Sequence, residues 1–188
     1  MKKYRLIGPF KQIVTMAGLP TKGSISDEQL NLIENAGIIT EDAKIHAIGS
    51  YPEIQVEARS LNAQNIPIPY NMVCLPGFID SHTHICFGGS RANDYALRNS
   101  GKTYLEIAKA GGGIWDTVTE TRKATKASLI EGIKKRVGAH LSRGVTTIEV
   151  KSGYGLSIKE ELKMLRAIAF ANTQCEADLI ATCLAAHM

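Results

Sequence analysis

Gly77–Arg91 reads GFIDSHTHICFGGSR and follows directly on Leu75-Pro76. A short apolar run, Phe78–His82, leads into two histidines, His82 and His84, and a glycine turn then delivers Arg91. Proline and glycine ahead of the run punctuate the chain, and its texture differs on the two sides of that break.

Before Pro76 the pieces are short and β-like: Tyr4–Ile7, Gln12–Met16, and a hairpin with arms Gly37–Ile39 and Lys44–Ile48 around a Thr40-Glu41-Asp42 turn. Pro67 and Pro69 confine any strand within Ile66–Leu75 to an edge or to a late start near Met72. A helix is expected around Asp27–Glu34. Residues 1–75 therefore read as the β-rich portion of a composite sandwich domain.

From residue 76 to 188 strands and helices alternate. Thr103-x-x-Glu106, Ser128-x-x-Glu131 and Ser157-x-x-Glu160 are capping-box signatures, each opening a helical stretch. The clearest is Leu129–Ser142, with Ile130, Ile133, Val137 and Leu141 on one face and Gly144 as its C′ stop. Val145–Val150 (VTTIEV) is a β-branched strand, Ile158–Asn172 a helix, and Asp178–Ala185 a further apolar strand. Strands separated by helices of this length imply a parallel sheet and an α/β fold.

Composition narrows the function classes. Hydrophobic residues at 44% and charged residues at 21% of 188 positions suit a globular protein with room for a core. The net charge of +4 is spread without a basic run, so no nucleic-acid partner is indicated. No apolar run reaches the roughly 18 residues that cross a bilayer. Cys74, Cys86, Cys175 and Cys183 form no C-x-x-C pair, and the chain reads as reduced and cytoplasmic. Ala110–Ile114 (AGGGI) lacks the spacing of a phosphate loop and reads as a flexible link between two helices.

On an extended strand His82 and His84 point to one face, with Asp80 behind them. Their Cα atoms stand roughly 6.6 Å apart, a span that two imidazoles close onto one ion. The spacing alone leaves two readings, a metal-ligand pair or two incidental strand residues. Cys86 lies about 13 Å further along from His82 and reads as a packed, reduced cysteine. Arg91 taken alone reads first as a solvated surface residue, with an anion holder as the alternative, and Tyr154 as a loop aromatic capping the core or as a site residue.

LPGFIDSHTH resembles the first barrel strand of the amidohydrolase superfamily. FGGSR, TYLEIAKAGGGI, GVTTIEVKSGYGL and ELKMLRAI are similar to segments of its imidazolone-opening family, over nearly everything from Pro76 onward. The resemblance implies a partial (β/α)8 amidohydrolase-type barrel after the small β-sandwich portion. It implies one zinc or iron ion per full-length chain, with His82 and His84 as two of its ligands. Arg91, Tyr154 and His187 become substrate-binding residues, with the Arg91 fork suited to a carboxylate. Lys151 takes a supporting role; His46 and His140 take none. The implied reaction is hydrolysis of the cyclic amide C–N bond of 4-imidazolone-5-propanoate, giving N-formimino-L-glutamate, by a homodimer with a small carboxylated substrate and no membrane partner. Another cyclic amidase or a deaminase is the alternative within the superfamily, and a non-catalytic half-barrel module the alternative outside it.

The family pattern continues with a histidine, an aspartate and a glutamate that match nothing up to Met188. The general base is thus expected beyond Met188, and this chain alone is expected to be an inactive N-terminal part.

Overall fold

The computed structural model describes residues 2–69 and 71–187. Two compact units emerge, one ending at Pro76 and one beginning at Gly77.

The first unit is built on β1 (Tyr4–Val14), a single strand where two pieces were expected. Its ladder to β2 (Leu32–Glu41) shifts register between Ile7 and Phe10, around Pro9, which is why the halves look separate in sequence. β2 and β3 (Lys44–Ser50) form the expected hairpin. Thr40 and Glu41 stay in the strand, however, and Asp42-Ala43 make the turn. The helix expected over Asp27–Glu34 is only a single 3-10 turn, Asp27–Gln29. Leu32–Glu34 instead pair with Val14–Gln12, because the β1 ladder satisfies their backbone groups better than an isolated short helix can.

Helix α1 (Tyr51–Ser60) was not signalled, since only Ile54 and Ala58 are buried and two positions make no visible period. β4 (Gln64–Pro67) and β5 (Val73–Cys74) lie parallel to the two halves of β1, with Pro67 and Pro69 breaking what would be one edge strand. The described residues of this unit form one five-stranded sheet, with α1 packed on Leu6 and Ile39. A second layer, as a sandwich requires, is not among them.

In the second unit β6 (Phe78–Thr83), β7 (Val145–Lys151) and β8 (Asp178–Thr182) make the expected parallel sheet in the order β6-β7-β8. Helices α2 (Ala92–Asn99), α3 (Tyr104–Lys109) and α4 (Ile114–Lys123) follow β6, and α5 (Lys126–Leu141) precedes β7. Helix α6 (Ile158–Asn172) joins β7 to β8. Ile148, Val150 and Leu179 from the strands share a core with Leu129, Ile133 and Val137 of α5 and Met164 and Ile168 of α6. Each such side chain contributes roughly 1.5–3 kcal/mol by leaving water, so this layer fixes the strands beneath the site.

Thr103 and Ser157 cap α3 and α6 as expected. Helix α5 starts earlier than its capping-box signature suggests: Thr125 is the cap, and its hydroxyl accepts the Ser128 N–H at 3.1 Å. Ser142 closes α5, and Gly144 follows one residue beyond the C′ position assigned to it. The opposite face of the sheet is open, with Ile79 71% and Ile180 55% exposed. Among the described residues no helix is long and apolar enough to cross a membrane.

Candidate active site

The C-terminal ends of β6, β7 and β8 gather the site. On β6, Asp80 pairs with Ile148 but Thr83 with Val150, so the strand carries one residue more than β7 between those pairs. Such a bulge changes which face the following side chains take. Asp80 is left on the helix side, where its carboxylate meets His140 Nδ1 at 3.6 Å. Asp80 is therefore not behind the histidine pair through alternation. It reaches that pair through the backbone, accepting the His82 N–H at 3.3 Å. His140, given no role from the sequence, is its partner.

The His82 and His84 rings lie 5.4 Å apart. His82 is exposed and His84 half-buried. Burial pushes the His84 imidazole below its ordinary pKa, and the neighbouring His187, His82 and Lys151 charges push the same way. A neutral ring is the form that ligates a metal or accepts a proton. Its Nδ1 is buried and has no hydrogen-bond partner among the described residues.

Tyr154 stands on the loop after β7, 5.7 Å ring to ring from His84. His187 completes the cluster, 4.9 Å from His84 and 5.5 Å from Tyr154. It does not close a long strand, because β8 ends at Thr182. The segment beyond is drawn in by Leu184, whose N–H donates to the Ser152 hydroxyl at 3.1 Å.

Arg91 stands outside this ring cluster. Its Nε donates to Asp94 Oδ2 at 2.5 Å and its Nη1 to the Thr117 hydroxyl at 3.2 Å. Those bonds use two of the five N–H groups of a guanidinium. Its charge nevertheless reaches Tyr154: burial pushes the Tyr154 phenol up, and Arg91 opposes that rise. Asp94 also accepts the Gly113 N–H at 2.8 Å. A Cβ at Gly112 would stand 2.3 Å from Asp94 Oδ1, so the glycine run is a fitted seat for Asp94 rather than a flexible link.

Glu149 and Lys151 form a tight ion pair on the open face of β7. Burial works to raise the Glu149 pKa, but hydrogen bonds from Lys151, Thr182 and the Thr83 N–H outweigh it and hold the carboxyl low. Lys151 is thus committed to Glu149. Cys86 is fully buried in the helix-side core, and burial pushes its thiol up to about 12, an inert group at neutral pH.

Sequence reasoning missed Glu161. It is only 4% exposed, yet it lies in the first turn of α6 beside an 84% exposed Ile158. Its carboxylate accepts the N–H groups of Gly153, Gly155 and Leu156 at 2.8, 2.7 and 2.8 Å. An acid following a G-x-G-L-S loop at helical spacing was the available signal, hidden because acids in a first turn are ordinary.

The orphaned buried Nδ1 of His84 and the adjacent His82 ring suit a metal ion as part of a ligand set. Among the described residues no group of three or more His, Cys, Asp or Glu side chains is placed to hold one.

No family model matches the chain. An imidazolonepropionase of Geobacillus sp. (strain WCH70) is 41% identical over 180 residues, covering 94% of this chain and 42% of that protein. The imidazolonepropionase of Caldanaerobacter subterraneus subsp. tengcongensis is 38% identical over 187 residues, 100% of this chain and 44% of that protein. Among solved structures, atrazine chlorohydrolase TrzN from Arthrobacter aurescens TC1, complexed with zinc, is similar in fold. Its TM-score is 0.62 at 19% identity, over 95% of this chain and 35% of that one. The chain spans about two fifths of the length of the curated relatives it matches, a share that fits an N-terminal part. Over that share the chain is similar in sequence to the imidazolonepropionases, and its α/β fold is similar to that of solved hydrolases such as TrzN.

Proposed function

We propose that this chain supplies one side of the active site of a metal-dependent hydrolase. The reaction is opening of the cyclic amide of 4-imidazolone-5-propanoate to N-formimino-L-glutamate. The observation that carries the reading is the ring cluster of His82, His84, Tyr154 and His187 at the ends of three parallel strands. That is the end at which (β/α)8 enzymes keep their chemistry, and β6–β8 are read as the first strands of such a barrel. The imidazolonepropionase names of the relatives at about 40% identity supply the substrate.

In this reading His82 and His84 hold one zinc or iron ion together with ligands from outside this chain. When bound there, the ion supplies Lewis acidity and a water of lowered pKa. The remaining steps belong to this chain's own residues. Arg91 keeps N–H groups free for the propionate carboxylate, while Asp94 and Thr117 fix the plane of its fork. Tyr154 and His187 flank the imidazolone ring and exclude water from its faces. The Glu149–Lys151 pair holds the end of β6 through the Thr83 N–H at 3.2 Å, and so holds His82 and His84 on either side of it. The general base is assigned to the part of the protein outside this chain. The 188-residue chain by itself is accordingly inactive, and the complete enzyme is a cytoplasmic homodimer.

Arg91 discriminates this substrate from other cyclic amides and from deaminase substrates. In the complete enzyme Arg91→Ala is expected to raise KM for the propionate substrate roughly 10- to 100-fold, the loss of a charged hydrogen-bond partner, with a smaller change in kcat. Unchanged KM in steady-state kinetics contradicts the assignment.

A further inference from the structure

We infer that Glu161 is the positioning residue for Tyr154 and His187: its buried carboxylate, accepting three backbone N–H groups, builds the loop that sets both rings against His84. The inference rests on the proposed reading of Tyr154 and His187 as substrate contacts.

Ser152–Leu156 cannot hold its shape through its own backbone. Gly153 has φ +118 and Leu156 φ +51, and the turn leaves the Gly153, Gly155 and Leu156 N–H groups without a backbone acceptor, while only Ser152 bonds to the Thr182 carbonyl. Glu161 accepts those of Gly153, Gly155 and Leu156. Bonds to a charged acceptor are about twice as strong as neutral ones, and the first turn of α6 further favours an anion there.

Close packing allows no substitute arrangement. A Cβ on Gly155 would lie 2.5 Å from the Glu161 backbone nitrogen, and one on Gly153 would lie 3.1 Å from His187 Cβ. The outer side of the loop is pinned separately, with Arg122 Nε donating to the Gly155 carbonyl at 2.7 Å. Ser152 ties it to the segment carrying His187. The loop, the helix turn and the His187 segment thus converge on one carboxylate, and Tyr154 projects from the middle of the loop.

The test is hydrogen exchange and ring-to-ring NOE measurement on the 188-residue chain. Glu161→Gln keeps size but turns one acceptor into a donor. Exchange is expected to quicken at least about tenfold at Gly153, Gly155 and Leu156, with loss of the Tyr154–His187 NOEs. Amides of Ile148, Val150, Ala167 and Ile168 are expected to keep their protection. Unchanged exchange at the loop, or a uniform rise across α5 and α6, overturns the inference. Should Glu161→Gln not fold, Gly155→Ala disturbs the same contact from the loop side and is expected to give the same local pattern; global unfolding of both overturns it too.

In the complete enzyme, adding Glu161→Gln to the Tyr154→Ala/His187→Ala double variant is expected to lower kcat/KM no further, whereas independent roles multiply. Multiplied losses overturn the positioning role. Local loosening in the exchange experiment, with no turnover of imidazolone propionate even by the unsubstituted enzyme, leaves the positioning role standing and defeats the proposed activity.

Discussion

At the scale of the residue, this site is organised by carboxylates that do no chemistry. Asp94 seats the guanidinium of Arg91 against a glycine run, Glu149 ties Lys151 to the end of β6, and Glu161 carries the Tyr154 loop. The spacing of His82 and His84 drew the eye to them, whereas Arg91, Tyr154 and His187 were singled out only through a family resemblance. The carboxylates were not, since an acid on a helix or strand announces nothing until its tertiary partner is known. Asp80 shows the converse: alternation put it behind the histidines, and one extra residue in β6 sent it to His140.

Glu149 also makes a pH prediction. Although burial raises its pKa, its three hydrogen bonds lower it more, so the folded value lies below the ordinary value of 4.5. A depressed folded pKa contributes stability that is present above the unfolded value and lost as pH falls through the folded one. Thermal melts of the chain from about pH 6 to pH 3 should show an acid-side decline that Glu149→Gln makes shallower. Equal slopes for the two proteins contradict the assigned hydrogen bonds.

At the scale of the element, legibility followed the length of the buried period. Helix α6 was read with its observed bounds and β7 stood out as a β-branched run, because each buries residues at the spacing its geometry demands; β8, which buries only Leu179, was read three residues too long. Helix α1 buries only Ile54 and Ala58, and α2 only Asp94, so neither leaves a stripe to find. The start of α5 was misplaced for a different reason. Ser128 and Glu131 satisfy a capping-box pattern, but Thr125 lies one turn earlier and takes the Ser128 N–H itself. Thr125→Ala should therefore destabilise the chain by about 1 kcal/mol in urea unfolding, and Ser128→Ala by no more than about 0.5 kcal/mol. The reverse order would restore the cap to Ser128.

At the scale of the whole molecule, the parallel order β6-β7-β8 was foreseeable from alternating strands and helices. The first unit was less so: its sheet depends on β4 and β5 joining β1 across long stretches of chain, and prolines disguise both strands. The second unit buries one face of its sheet under α5 and α6 and leaves Ile79 and Ile180 bare on the other. Glu149 and Lys151 project on that open side. A histidine pair, a tyrosine and a third histidine thus stand at the rim of a half-covered sheet, in a chain two fifths as long as its relatives. That combination supports the reading of a shared active site, completed by sequence beyond the residues of this chain.

The most direct test is turnover of 4-imidazolone-5-propanoate, followed by release of N-formimino-L-glutamate. It compares the 188-residue chain, the chain extended to the full length of its relatives, and the extended chain carrying His84→Ala. The account predicts ring opening by the extended protein alone, with activity lost in the short chain and in His84→Ala. Turnover by the 188-residue chain at ordinary enzyme rates, or undiminished activity of the His84→Ala protein, would contradict it.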